Sequence, residues 1–218
     1  QKLLKERYGV EATILPHGVD ETYLKLSNMA KQFREKYGIC GKIIAYIGRI
    51  HPTKGLDLLI KAFAEAARQV PEAVLVIAGK GDEKYLRKCL KLAEKLGIKG
   101  KVKYVGYMPE EDKIALIDAS EAIALPTRHA GENYSLLIDE VTARGKPIVV
   151  VNASKALTSR ASDGLCYMVN ARVSDVIKAL KSILESPRST SSNIYRSSIL
   201  TWSFVARTLL DLYQKVVG

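Results

Sequence analysis

The sequence predicts an α/β fold, a parallel sheet with helices on both faces. Three observations lead there. Short apolar, β-branched runs alternate with stretches of helical periodicity from Lys42 to Glu185. Those runs are apolar almost without interruption, as strands covered on both faces are. Gly97 and Gly145 stand where helix ends favour a left-handed residue. The alternation is that of a doubly wound sheet.

Taken in chain order, residues 1–40 differ in kind and read as a connector. Residues 11–15 are expected as a strand running into the turn Pro16-His17-Gly18-Val19-Asp20, and residues 29–37 as a helix leading to the sheet. Strands are predicted at 43–47, 74–77, 102–105, 122–125 and 148–151. Between them, 56–69, 83–96, 112–119 and 135–143 have helical spacing, with Leu58, Leu59, Ala62, Phe63 and Ala66 forming an apolar stripe. The polar stretch 152–163 reads as a loop, 173–185 is helical again, and 187–193 is serine-rich punctuation. An amphipathic helix at 203–217 ends the chain. Residues 41–200 thus make one domain and 201–218 a terminal helix, with no internal repeat and no low-complexity tract.

The 218 residues carry 34 Lys plus Arg against 23 Asp plus Glu, a net charge of +11, and 47% are hydrophobic. That apolar fraction excludes a disordered chain, and no apolar run approaches the roughly 20 residues of a spanning helix. Cys40, Cys89 and Cys166 are odd in number and far apart, which points to a reducing compartment rather than a disulfide framework or a zinc knuckle. There is no initiator Met and no signal-peptide pattern, so a cytoplasmic piece of something longer is expected. The basic balance suits an anionic partner. Lysines interleaved with glutamates, as at Glu35-Lys36 and Glu94-Lys95, leave open the plainer alternative of solvated helix faces.

In open parallel sheets ligands bind beyond the carboxyl ends of the strands, so the residues there matter most. Gly48-Arg49 and Lys54-Gly55 follow the first strand and lead into a helix N-terminus, together a candidate pyrophosphate cradle. Two solvated cations on a glycine-bounded loop are the alternative. Gly79-Lys80-Gly81-Asp82 follows the second strand, where Gly81 serves the turn and Asp82 caps the helix. It is neither a full dinucleotide fingerprint nor a P-loop. After the fourth strand, Glu132 and Glu140 lie about two helical turns apart, so both carboxylates can reach one ligand, the second accepting two hydroxyls of a diol. Amides of Asn133, Tyr134, Ser135 and Leu136 would add phosphate donors; helix capping by Glu132 and a solvated Glu140 are the alternative. His17, His51 and His129 have no metal-ligand spacing, and no serine sits in a Gly-x-Ser-x-Gly elbow. No metal site is expected.

Together these segments resemble the C-terminal, donor-binding half of a GT-B glycosyltransferase of the retaining group 1, or GT4, type. Pro16-His17-Gly18-Val19-Asp20 is similar to that family's interdomain entry, Gly48-Arg49 with Lys54-Gly55 to its phosphate motif, and Gly79-Lys80-Gly81-Asp82 to its second turn. Val105-Gly106-Tyr107 resembles the loop bordering the nucleobase, placing Gly106, Tyr107 and Met108 there. Glu132 with Glu140 matches the Glu-x7-Glu signature, and Ala143 to Val149 the passage that follows. Where the family commonly has Glu-Gly-Phe-Gly, this chain has Glu132-Asn133-Tyr134-Ser135, with less backbone freedom.

The resemblance implies a Rossmann-like domain that binds a UDP-, GDP- or ADP-linked sugar as substrate, without cofactor or metal. It implies Arg49 and Lys54 on the diphosphate, Glu132 on the transferred hexose and Glu140 on the ribose hydroxyls. It places a glycan or lipid-linked acceptor on an N-terminal half absent here, with the last helix crossing back to it. The isolated chain is then expected to transfer sugar poorly and to risk self-association through that helix. Attachment to the cytoplasmic membrane surface fits the same reading. The competing reading is a regulatory module of GT-B form that binds nucleotide sugar without transfer. No nucleic-acid partner is expected, because aromatic–basic interleaving and a recognition-helix motif are missing.

Overall fold

The computed structural model describes residues 1–25, 27–131, 135–154, 165–185 and 199–217. Strands β1 (Lys42–Ile47), β2 (Ala73–Ala78), β3 (Val102–Gly106), β4 (Ser120–Leu125), β5 (Ile148–Val151) and β6 (Cys166–Val169) form one six-stranded sheet in the order β3-β2-β1-β4-β5-β6. Every neighbouring pair is parallel. The order reverses between β1 and β4, and at such a switch point the loops diverge and open a crevice beyond the strand ends.

Helices α1 (Lys2–Tyr8), α2 (Thr22–Lys25), α3 (Ala30–Tyr37), α4 (Leu56–Gln69), α5 (Glu83–Lys95), α6 (Glu110–Ala119), α7 (Leu136–Ala143), α8 (Val173–Glu185) and α9 (Trp202–Val217) complete the described elements. Side chains alternate across β1, so Ile44 and Tyr46 enter a core under α4, α5 and α8, while Ile43 and Ala45 enter one under α3, α6 and α7. Burial on both faces is why β1, β2, β4 and β5 read as nearly uninterrupted apolar runs, whereas β3, at the sheet edge, is half buried. Gly97 and Gly145 carry φ of 74° and 68°, the left-handed conformation expected at those helix ends.

The five expected strands all form, and β6 is an addition. It is a short edge strand whose residues after Cys166 are only half buried, so its apolar signal is weak. The strand expected at 11–15 does not form. Extended chain becomes a strand only against a partner, and none of the six strands pairs with this stretch, where Ile14 is exposed.

The segment read as connector divides in two. Residues 1–17 are exposed apart from Ala12, whereas Tyr23, Phe33 and Ile39 lie in the second core. Val19 donates its amide to Leu200 O at 2.8 Å and accepts from Trp202 N at 3.1 Å, which stitches the entry segment to the start of α9. Further on, a buried ion pair anchors the same segment. Arg144 reaches Asp118 through Nε at 2.9 Å and Nη2 at 2.7 Å, and donates to Tyr23 O and Ser27 O, each at 3.0 Å. Asp118 also accepts from Met29 N at 2.8 Å. The Arg144 and Asp118 side chains are 3% and 2% exposed, so the pair is desolvated and every strong partner is internal.

The serine-rich stretch at 187–193 and, beyond residue 154, the loop expected at 152–163 lie outside the described residues. Among the described residues no helix is long and apolar enough to cross a membrane.

Candidate functional site

The loops leaving β1 and β2 are laced by backbone hydrogen bonds. Gly48 N donates to Ala78 O at 3.1 Å, Ile50 N to Lys80 O at 3.0 Å, and Asp82 N to Ile50 O at 2.8 Å. The Tyr46 hydroxyl, buried under the sheet end, donates to Arg49 O at 2.7 Å and fixes the turn. Gly79 permits this approach: its φ is 134°, and a Cβ there would stand 1.9 Å from Gly48 O. Asp82 caps α5 by accepting from Tyr85 N at 2.9 Å, as expected from the sequence.

The loop leaving β4 is tied to the same turn. Arg128 N donates to Thr53 O at 2.7 Å. Gly55, with φ of 69°, lies so near Pro126 that a Cβ would meet its carbonyl oxygen at 2.0 Å. The exits of β1 and β4 are thus held in register across the switch point.

One sequence expectation is corrected here. The first amides of α4 were to help cradle a diphosphate, but they are largely spent inside the protein. Asp57 N donates to the Tyr85 hydroxyl at 3.2 Å, and the amides of Leu58 and Leu59 donate to Gly55 O at 2.9 and 3.2 Å. The Asp57 carboxylate is gripped by Arg128 at 2.9 and 3.1 Å and by the Tyr85 hydroxyl at 2.7 Å. Burial pushes its pKa up, yet those two partners outweigh burial and hold it below the usual carboxylate range. Tyr85 lies on α5, 28 residues from Asp57, a separation no local pattern reveals.

Beyond the strand ends lie two adjoining cavities. The larger, about 860 Å³, is lined by Gly48, Arg49, Gly81, Tyr107, Met108 and Lys113 among others. The smaller, about 390 Å³, takes in Gly48, Arg49, Lys54, Leu125, Ser135 and Leu137. Gly48 and Arg49 belong to both, so the junction of the two falls on this turn. A Cβ at Gly48 would meet nothing nearer than the Tyr46 hydroxyl, 3.7 Å away, so the glycine leaves room at the junction. The exposed Arg49 guanidinium has no hydrogen-bond or ion-pair partner among the described residues.

The remaining expected residues fall as follows. Gly106 accepts from Gly79 N at 2.7 Å, tying the β3 exit into the same lacework. Tyr107 is 70% exposed on the rim, with Lys80 Nζ 5.0 Å from its ring centroid. Ser135 precedes α7 without capping it through its side chain, and Leu136 opens that helix with its side chain exposed. Glu132, Asn133 and Tyr134 lie outside the described residues.

Glu140 is nearly buried on α7, its side chain 15% exposed, and receives Lys113 Nζ on Oε1 at 3.1 Å. Lys113 also pairs with Glu110 Oε1 at 2.8 Å and stands 5.4 Å from the Tyr23 ring centroid. The Tyr23 hydroxyl in turn donates to Glu110. Burial raises the Glu140 pKa, Lys113 opposes, and the Glu110 charge adds to the rise. Sequence reasoning missed Lys113, Glu110 and Tyr23. The Glu110–Lys113 spacing on one helix was the one local signal, and it is as common on solvated faces. Among the described residues no three His, Cys, Asp or Glu side chains group as metal ligands would.

Known proteins share this architecture and sequence. Residues 30–198 match the family described as glycosyl transferases group 1. Mannosylfructose-phosphate synthase of Agrobacterium fabrum is 31% identical over 159 residues, covering 68% of this chain and 35% of that protein. A GDP-mannose-dependent phosphatidylinositol monomannoside mannosyltransferase of Mycolicibacterium smegmatis is 32% identical over 151 residues, covering 65% of this chain and 39% of that protein. The matched stretch thus covers little more than a third of the length of these relatives. Anabaena HepE, solved with UDP and glucose, superposes with a TM-score of 0.80 at 17% identity over 93% of this chain and 56% of its own. Sucrose-phosphate synthase of Thermosynechococcus elongatus gives 0.79 at 19% identity over 99% of this chain and 56% of its own. At such identities the likeness is one of fold.

Proposed function

The chain belongs to the glycosyl transferases group 1 family, and from that footing we propose that it is the nucleotide-sugar-binding domain of a metal-independent, retaining hexosyltransferase. The observation that carries this reading is the pair of cavities meeting at Gly48 and Arg49, at the β1/β4 switch point. The larger suits a nucleoside, the smaller a hexose, and the junction a diphosphate. Tyr107 offers its ring to the base, and Glu140 a carboxylate to the ribose hydroxyls. Arg49 presents a planar fork to phosphate oxygens, and Lys54 a compact charge from the smaller cavity. As the bond from the anomeric carbon to the diphosphate breaks, negative charge grows on the departing oxygen. Cations that close on that oxygen lower the barrier by stabilising the charge as it appears. Glu132 is assigned to the transferred sugar by resemblance to the family motif.

The relatives' greater length supports placing the acceptor, a glycan or lipid-linked glycan, on a second domain outside these 218 residues. The cytoplasm or the inner membrane surface is the proposed setting. Calorimetric titration with UDP, GDP and ADP tests the reading. One of the three is expected to bind saturably, and Glu140→Ala to weaken it about tenfold, roughly 1.4 kcal/mol. Binding of none, or binding indifferent to Glu140, would count against the site.

A further inference from the structure

Lys113 stands among groups that a nucleoside would have to meet. It lines the larger cavity, is itself 19% exposed, and contacts two carboxylates, Glu140 at 3.1 Å and Glu110 at 2.8 Å. The pairing is one-sided at Glu140: Lys113 occupies Oε1, while Oε2 has no hydrogen-bond partner among the described residues. That oxygen still reaches solvent, because no buried side-chain oxygen among the described residues is left unsatisfied. A carboxylate held by one oxygen, with the other open and its lysine partner lining the cavity, is arranged to accept from hydroxyls.

We propose that Lys113 is a positioning residue for Glu140, holding its carboxylate charged and turned so that the open oxygen reads the ribose diol of the bound nucleotide. The inference rests on the nucleotide-site reading above and deepens it, because it makes sugar recognition in the nucleoside depend on a residue of another helix. Three groups face Glu140 from neighbouring elements: Lys113 and Glu110 from α6, and Tyr23 from α2. The Tyr23 phenol is held far above its usual range, first by burial and then by the charges of Glu140 and Glu110, so it stays a donor. Lys113 is the one cation of this group and stands against both carboxylates. Without it, burial and the Glu110 charge would together favour a protonated Glu140, a poorer acceptor.

In the unaltered chain, discrimination between ribose and deoxyribose is full above the raised Glu140 pKa and fades as pH falls through it. In Lys113→Met the fade moves to higher pH, because the cation that opposes burial is gone, and the range in which discrimination survives narrows. Lys113→Arg keeps the charge and should restore it. Glu110→Gln removes the competing carboxylate and should carry discrimination to lower pH.

The experiment is titration of the chain and these variants, between pH 5.5 and about 9, with UDP, GDP and ADP and with their 2′-deoxy forms. The unaltered chain is expected to prefer one ribonucleotide over its deoxy form by about tenfold. Lys113→Met is expected to move the loss of that ratio to higher pH while keeping a cooperative thermal transition, and Lys113→Arg to bring it back to the unaltered profile. A ratio unchanged in Lys113→Met, or an equal loss for both sugars at every pH, would overturn the proposal and leave the site reading standing. No preference for ribose in the unaltered chain would overturn both.

Discussion

Replacing Arg49 with alanine is expected to weaken nucleoside diphosphate binding by about 10- to 100-fold, roughly 1.5–3 kcal/mol for a charge-assisted hydrogen-bond pair. In a transferase that contains this chain, as proposed above, the same change is expected to lower kcat by about 100- to 1,000-fold, because charge on the leaving diphosphate is greatest in the transition state. Stability should hardly move. The guanidinium is exposed and unpaired among the described residues, so its removal orphans no partner, and the thermal midpoint should correspond to a change within about 0.5 kcal/mol. Arg49→Lys keeps the charge but loses the planar fork and should fall between. Calorimetry on the variants, with melting curves alongside, separates the two effects. Wild-type affinity in Arg49→Ala would remove the diphosphate from the junction of the cavities.

The second large effect concerns the fold. Asp118→Ala or Arg144→Met alone is expected to cost about 3–5 kcal/mol, because each strands an uncompensated charge inside the protein. Against a total stability of roughly 5–15 kcal/mol, that is a large share, and the melting point should drop by on the order of 10 °C. Arg144 also holds the Tyr23 and Ser27 carbonyls, and Asp118 the Met29 amide, so the loss reaches the segment that carries Tyr23. Since the Tyr23 hydroxyl donates to Glu110, loosening this segment also disturbs the group around Glu140. The double variant Asp118→Leu/Arg144→Met should cost less than the two single changes added together, because no bare charge remains. Urea unfolding followed by circular dichroism measures this. Single-variant costs below about 1 kcal/mol would contradict the anchoring role assigned to the pair.

Much of the sheet was legible because its physics is local. A strand buried on both faces must be apolar at nearly every position, and β1, β2, β4 and β5 are. β6 escaped because an edge strand needs little burial, and residues 11–15 misled because a short stretch with strand-like residues does not supply its own partner. At the candidate site, Gly48, Arg49 and Lys54 were legible from their place after the first strand, and Glu140 from its helical spacing to Glu132. What surrounds them was not. The Tyr85 hydroxyl takes up an α4 amide from 28 residues away, and Lys113 meets Glu140 across 27. Such pairings are set by which helices the sheet brings side by side, and single-sequence periodicity carries no record of them. The Arg144–Asp118 pair escaped for the same reason, each residue looking like an ordinary surface charge until burial is known.

The central claim is that a nucleoside diphosphate spans the junction of the two cavities. The most direct test follows the backbone amide resonances of the labelled chain during titration with UDP, GDP and ADP. With the nucleotide that binds, the largest shifts are expected at Gly48, Arg49, Gly81 and Tyr107, with smaller ones at Ser135 on the hexose side. Saturable binding that leaves Gly48 and Arg49 unmoved, with shifts gathered instead on α1 or α9, would contradict it.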